Sequence, residues 1–275
     1  MKNISHEIFD KVYGSFDEFT PTHKDTLLVC IGDSWSRGGS LKFLAPSDNP
    51  AEIDRFRKQN CFGNFLRKRL DCDWCNVALQ GMSNAWMAEQ FRRFSQYRSE
   101  LDYKNVYVVL TLTEVGREIR TDFWPHYAKT LPMMKNLDEF ISIMSSQVED
   151  IILGSVRDDI KLIVGRNFVD DSYPGLGDFM LPHSWLDQLD HRSDSDPCYM
   201  LGEYVFSYLD KIQHKFTCNR QEWLLDLDQH LDRSIRRIGR LSESKFNIQK
   251  QGYQHPTPAG HEMWADYIFK EIVCS

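Results

Sequence analysis

The sequence predicts an α/β domain whose parallel sheet is covered by helices on both faces. Short apolar runs of strand length alternate with longer segments of helical periodicity, the pattern of strand–helix–strand units. The first run, Thr26–Ile31, is apolar throughout its centre and stops at Gly32, as expected of a buried parallel strand. In such folds ligands bind outside the carboxyl ends of the strands, and the chemically interesting residues here follow predicted strands.

The later elements continue this alternation. Further strands are predicted at 74–79, 105–111, 160–164 and 222–226, and helices at 52–70, 85–97, 137–153 and 257–273. The closing helix has Pro258 in its first turn, where a missing N–H costs little. We therefore expect a polar lead-in over 1–25 and one domain over 26–275.

The segment 170–220 is too long for a plain connection and is rich in proline and glycine. We interpret it as an insertion or lid over the site. The alternative is a surface decoration with no catalytic part.

Composition and charge exclude several classes of protein. The formal net charge of −7 argues against nucleic-acid binding, which needs a surplus of cationic side chains. No apolar run is long enough to span a membrane, and the first residues do not resemble a signal peptide. Seven scattered cysteines fit a reduced protein better than a disulfide framework. These observations predict a cytoplasmic protein.

A candidate nucleophile directly follows the first strand. Gly32 permits a tight turn, Asp33 can hold it rigid, and Ser34 then lies at the carboxyl edge of the sheet. At a strand-to-helix turn the serine N–H can also face a developing oxyanion. The alternative is a Gly-Asp-Ser turn that serves only as a helix N-cap.

A nucleophilic serine needs a general base, usually a histidine. His255 precedes the closing helix, and Pro256 and Pro258 would fix its backbone. The alternative is a capping or surface role. His261 falls inside the helix and is interpreted as structural.

Four ordered motifs resemble the SGNH (GDSL-like) hydrolases. They are Gly-Asp-Ser34, Asn76-Val-Ala-Leu-Gln-Gly81, a strand ending near Thr113, and His255-Pro-x-x-x-Gly-His261. The resemblance covers about 26–115 and 222–272. It implies a flavodoxin-like three-layer sandwich with about five parallel strands. It also implies hydrolysis of esters, which could be lipids, acetylated sugars, thioesters or small acyl esters, without metal or organic cofactor. The expected partner is a small-molecule or glycan ester substrate. The resemblance also implies that Ser34 attacks, His255 takes its proton, and Ser34 and Gly81 donate N–H groups to the oxyanion.

The chain departs from the family pattern at the third oxyanion donor. Where the family has an asparagine, the aligned stretch places Thr113, whose hydroxyl is a shorter donor. Asn84 or Arg117 could compensate as substrate or oxyanion support. Arg117 could equally form a salt bridge with Glu114 or Glu118.

A second departure concerns the acid. The family places an aspartate three residues before the histidine, and that position is Gly252. A backbone carbonyl, another carboxylate such as Glu243 or Asp226, or nothing would then orient His255. Two functions stay open: a serine esterase, plausibly a carbohydrate or small-ester deacylase, and a non-catalytic binding or structural protein on the same fold.

Three other patterns favour ordinary structural roles. A lone Cys72-x-x-Cys75 lacks the further ligands that zinc needs. A helix face could bring His183, Asp187 and His191 together on a metal, but this is the less favoured interpretation. A basic helical stripe consists of Arg233, Arg236, Arg237 and Arg240. We interpret it as a solvated face, and the alternative is a site for an anionic glycan or phosphate-bearing partner.

Overall fold

The computed structural model of the protein describes residues 24–39, 41–113, 137–167, 173–185, 187–188, 200–201 and 255–274. The strands are β1 Thr26–Ile31, β2 Asp73–Asn76, β3 Asn105–Leu112, β4 Lys161–Arg166, β5 Met200–Leu201 and β6 His255–Pro256. The helices are α1 Ser34–Arg37, α2 Pro50–Asn60, α3 Phe62–Leu70, α4 Asn84–Tyr97, α5 Leu137–Leu153 and α6 Pro258–Cys274.

The main sheet confirms the predicted α/β class. Its strands are all parallel and lie in the order β2-β1-β3-β4, which is the beginning of the flavodoxin-like order 2-1-3-4-5. The predicted fifth strand at 222–226 and the lead-in over 1–23 lie outside the described residues. On the outer edge of β4, Met180 forms a parallel bridge with Val164. The described residues thus contain four strands of the main sheet, where about five were expected, and a single further bridge at this edge.

Both faces of the sheet are buried, which confirms the three-layer arrangement. Alternate residues of β1 point to opposite faces, so that Leu27 and Val29 pack beneath α4 and α5 while Leu28 and Cys30 pack beneath α3 and α6. The first core is mainly aliphatic, and the second contains a cluster of tryptophans. Across the described ranges, no helix is both long and apolar enough to cross a membrane.

The single helix predicted over 52–70 is wrong, because two helices occupy it. The chain becomes extended at Cys61 (φ −83°, ψ 156°), which separates α2 from α3. This break frees the N–H of Phe62, which donates to Nδ1 of the buried His261 in α6 at 3.2 Å. A contact between residues so distant in sequence fixes the helix start, and local periodicity cannot reveal it.

The first part of the predicted insertion packs into the core. Between 173 and 185, Leu176 and Trp185 are fully buried. Trp185 stacks on Trp264 at 5.3 Å between ring centroids, and its Nε1 donates to the carbonyl of Gly260. Most of the remaining predicted insertion lies outside the described residues, and its role as a lid stays a prediction.

Candidate functional site

The turn that carries Ser34 is capped at both ends. Asp33 is the N-cap of α1, and its Oδ1 accepts a hydrogen bond from the N–H of Trp35 at 2.9 Å. Gly38 ends the helix in the left-handed region (φ 72°), and its N–H donates to the carbonyl of Trp35. Ser34 is thereby held at the carboxyl end of β1 with 8% of its surface exposed.

Close packing explains why a glycine precedes this turn. A Cβ atom at Gly32 would lie 2.2 Å from the hydroxyl of Ser36 and 3.3 Å from the carbonyl of Thr111. A larger residue would displace either α1 or the neighbouring strand β3. The tight turn expected from the sequence thus depends on the absence of a side chain at residue 32.

The loop after β2 runs alongside the same turn. The N–H of Leu79 donates to the carbonyl of Gly32 at 3.1 Å, which continues the pairing of β1 and β2. The side chain of Gln80 lies against Gly39. Gly81 then adopts φ 74°, and no atom of the described residues lies within 4 Å of the position where its Cβ would be. The structure therefore places Gly81 on the Ser34 edge of the sheet, on an exposed loop.

Thr113 follows β3 at this edge and is held through its backbone by Asn84. The Asn84 Oδ1 accepts from the N–H of Thr113, and its Nδ2 donates to the carbonyl of Thr113, both at 2.8 Å. The same Nδ2 contacts the hydroxyl of Tyr173. Both amide hydrogens of Asn84 are thus engaged. The Thr113 hydroxyl is buried and has no hydrogen-bond partner among the residues that the structure describes.

Asn167 is a candidate site residue that no sequence pattern considered above points to. It directly follows β4 and is fully buried, and its Nδ2 donates to Oδ1 of Asp33 at 2.9 Å. Its N–H donates to the carbonyl of Leu112, so it also ties β4 to β3. A polar residue directly after a buried parallel strand is the signal that would have found it.

The backbone of β6, which contains His255, lies against α1, which begins at Ser34. These segments are more than two hundred residues apart, so the fold alone brings them together. For His255, the structure describes the backbone and not the imidazole ring. Arg117 and Gly252, the other positions singled out for the site, lie outside the described residues.

Two side chains singled out in the sequence, His261 and Cys72, are part of the core. His261 is fully buried and bonded to the backbone of Phe62, which fits its structural interpretation. Burial, reinforced by the neighbouring Asp73, raises the pKa of Cys72 to about 12, so its thiol stays protonated and is a poor metal ligand. Within the described residues no three His, Cys, Asp or Glu side chains are grouped to hold a metal ion.

No protein-family model and no curated protein sequence matches this chain. Solved structures do resemble it. A carbohydrate esterase with divergent catalytic and non-catalytic binding functions has a TM-score of 0.41 at 9% identity, over 92% of this chain and 69% of that one. A family two carbohydrate esterase from Clostridium thermocellum, solved with cellohexaose, has a TM-score of 0.38 at 12% identity, over 92% of this chain and 65% of that one.

A protein assigned to the lipolytic G-D-S-L family, from Desulfitobacterium hafniense, has a TM-score of 0.35 at 10% identity, over 89% of this chain and 98% of that one. These three structural neighbours are two carbohydrate esterases and a lipolytic protein. Because each of these TM-scores is below 0.5, the assignment of a function depends on the geometry of the site.

Proposed function

We propose that this protein is a serine ester hydrolase of the SGNH type, with Ser34 as the nucleophile. The observation that carries the proposal is the convergence of three elements on one edge of the sheet. The capped turn of Ser34, the loop of Gly81 and the buried hydroxyl of Thr113 all follow neighbouring parallel strands. This is the edge at which α/β proteins bind their ligands.

The reaction would proceed through an acyl-enzyme. His255 takes the proton of Ser34 as its Oγ attacks the ester carbonyl, and the resulting oxyanion receives N–H groups from Ser34 and Gly81. The imidazolium then returns the proton to the alcohol as the C–O bond breaks. A water molecule, deprotonated by His255, releases the carboxylic acid and restores Ser34.

Thr113 would supply the third oxyanion donor. Its hydroxyl is buried without a partner in the described part of the chain, which is costly unless a ligand uses it. Asn84 would act as a positioning residue, because its amide fixes the Thr113 backbone and has no hydrogen left to donate. Asp33 and Asn167 would hold the nucleophile turn against β4.

The substrate class that fits best is an acylated carbohydrate or another small ester. Gly81 lies on an exposed loop, and no described residue lies within 4 Å of the position of its Cβ, which supports access of a bulky alcohol to the proposed oxyanion donors. The motif resemblance to SGNH hydrolases supports the same class. Hydrolysis of this kind uses no metal and no organic cofactor.

A fluorophosphonate probe tests the proposal, because it labels only an activated serine. We expect the wild-type protein to be labelled at Ser34 and to hydrolyse a short-chain aryl ester. The variant Ser34→Ala should lose both properties. The matched control is Ser36→Ala, since Ser36 is buried in the same short helix but turned toward Gly32. Equal labelling of wild type and Ser34→Ala would refute the nucleophile, and a folded wild type without any labelling would favour the non-catalytic binding protein.

A further inference from the structure

The carboxyl ends of three neighbouring strands are tied together by one buried residue. Asn167 directly follows β4, and its N–H donates to the carbonyl of Leu112, the last residue of β3, at 2.8 Å. Its Nδ2 donates to Oδ1 of Asp33, beyond the end of β1, at 2.9 Å. Because β3 lies between β1 and β4, this side-chain hydrogen bond passes over the end of β3.

Both hydrogen bonds of Asn167 end next to a residue of the proposed site. Ser34 follows Asp33 along the chain, and Thr113 follows Leu112. Asn167 therefore binds the residue before the proposed nucleophile and the residue before the proposed third oxyanion donor. The spacing between Ser34 and Thr113 at this edge is thus set in part by Asn167.

Asp33 passes this contact on to the turn that carries Ser34. The Oδ1 atom that accepts from Asn167 also accepts from the N–H of Trp35 at 2.9 Å, which makes Asp33 the N-cap of α1. The main-chain carbonyl of Asp33 accepts from the N–H of Arg37 at 3.0 Å. The first turn of the helix that begins at Ser34 is therefore attached to the end of β4.

Stability alone does not explain an asparagine at residue 167. Its side chain is fully buried, and its Oδ1 has no hydrogen-bond partner among the residues that the structure describes. The amide cannot be turned round, because the Asp33 carboxylate accepts hydrogen bonds and so requires the Nδ2 group on its side. A buried amide oxygen without a partner costs free energy that a well-packed apolar side chain would avoid. Costs of this kind are typical of functional sites.

We propose that Asn167 is a positioning residue of the active site, whose neutral amide holds Asp33, and through Asp33 the nucleophile Ser34, in place beside Thr113. The proposal rests on the ester hydrolysis assigned to Ser34. It sets two requirements for the side chain at residue 167, a hydrogen-bond donor and the absence of negative charge. A carboxylate there would lie about 3 Å from that of Asp33, and two carboxylates so close cannot both ionise.

Asn167→Asp tests both requirements with one change of nearly equal shape. The new carboxyl group can donate to Asp33 while it is protonated, and it repels Asp33 once it is ionised. The neighbouring like charge raises the pKa of the new group, so the donor persists toward neutral pH and is lost as pH rises. We expect kcat of the variant, divided by that of the wild type at each pH, to lie within about threefold of unity near pH 5.5 and to fall about tenfold by about pH 8.5.

Division by the wild-type value removes the titration of groups that both proteins share, among them the proposed base His255. The adjacent cation, Arg166, donates to the carbonyl of Pro182 and is also common to both proteins. KM should change little, because a misplaced nucleophile acts on the transition state. A ratio that stays constant over this pH range would overturn the proposal.

Asn167→Leu removes the donor without adding a charge, and it serves as the test if Asn167→Asp does not fold. It should lower kcat about tenfold at every pH while KM stays nearly unchanged. The matched control is Asn64→Asp, because Asn64 is also buried and its side chain is bonded within its own segment, to Gln59 and Arg67. This control should keep the kcat and the pH profile of the wild type. Wild-type kcat in a folded Asn167→Leu would overturn the proposal.

Amide hydrogen exchange separates this inference from the proposed function. The N–H of Trp35 shares its acceptor, Asp33 Oδ1, with Asn167, so it should exchange faster in Asn167→Leu than in the wild type. The N–H of Val77, which donates to the carbonyl of Cys30, should exchange at the same rate in both proteins. Faster exchange at Trp35 beside a wild type without turnover would support the positioning of the turn and refute the proposed function alone. Equal exchange at Trp35 in both proteins would overturn the positioning by Asn167, even if the wild type hydrolyses esters.

Discussion

The two edges of the parallel sheet bury polar side chains in different ways. At the amino edge, the hydroxyl of Tyr103 donates to the fully buried Asp73 at 2.9 Å, and Arg98 donates to main-chain oxygens at 2.9 and 3.1 Å. At the carboxyl edge, the Thr113 hydroxyl and Oδ1 of Asn167 are buried with no partner among the described residues.

This difference suggests that buried polar groups at the amino edge stabilise the fold, whereas those at the carboxyl edge belong to the proposed site. A buried polar group costs free energy unless it is hydrogen-bonded, so the paired groups at the amino edge stabilise the fold. Groups without a described partner at the carboxyl edge cost stability, and under the proposed function the ligand would bind there. We therefore predict that substitutions at the carboxyl edge change the rate of ester hydrolysis, and that substitutions at the amino edge change the free energy of unfolding.

The largest effect is expected for Thr113→Val. This change removes the proposed third oxyanion donor and keeps the shape of the side chain. The kcat for ester hydrolysis should fall by about 10²-fold or more, as for other oxyanion donors. The matched control is Thr111→Val, because Thr111 is also buried on β3 and its hydroxyl likewise has no partner within the described ranges. Similar losses in both variants would show that Thr113 acts only through packing.

A smaller effect is expected for Asn84→Asp. The acid keeps the acceptor for the Thr113 N–H but replaces the donor that binds the Thr113 carbonyl. A displaced Thr113 should lower kcat by about tenfold while KM changes little, since positioning errors act on the transition state. Tyr173→Phe removes the hydroxyl that the Asn84 Nδ2 contacts and should lower kcat less. Equal effects on kcat and KM in both variants would contradict a positioning role.

Much of this edge could be predicted from the sequence, because the length of each strand and the residues that end it are visible in a short stretch of sequence. The run before Gly32 defines β1, and the apolar run ending near Thr113 defines β3. Parallel strands then require Ser34, Gly81 and Thr113 to share an edge. The proximity of β6 to α1 was expected from the motif order, and the roles of Ser34 and His255 stay proposals.

The rest depends on contacts between distant segments. Asn84 was expected to support the substrate or oxyanion, but its amide is taken up by the Thr113 backbone and Tyr173. The helix break at Cys61 follows from a bond to His261. Periodicity shows which face of a helix is buried, but not which polar group on another element will meet it.

The smallest effect on rate is expected for Tyr103→Phe, at the amino edge. The change leaves the buried carboxylate of Asp73 without the phenol donor. The free energy of unfolding should fall by about 1–3 kcal/mol near neutral pH, the usual cost when a buried polar group loses one hydrogen bond. Hydrolysis by the folded variant should match that of the wild type, because the substitution lies away from Ser34.

The pH dependence of this difference identifies its cause. Burial, together with the hydrogen bond to Asp73, raises the pKa of Tyr103 above its ordinary value. A raised pKa means that the folded protein keeps a proton that the unfolded chain loses. The stability from this tyrosine is therefore fully present below about pH 10, the pKa of a tyrosine in the unfolded chain, and is lost as pH rises above it. Urea unfolding near pH 8 and near pH 10.5 should show a gap between wild type and Tyr103→Phe that narrows at the higher pH, and a constant gap would assign the loss to packing instead of to the hydrogen-bonded phenol.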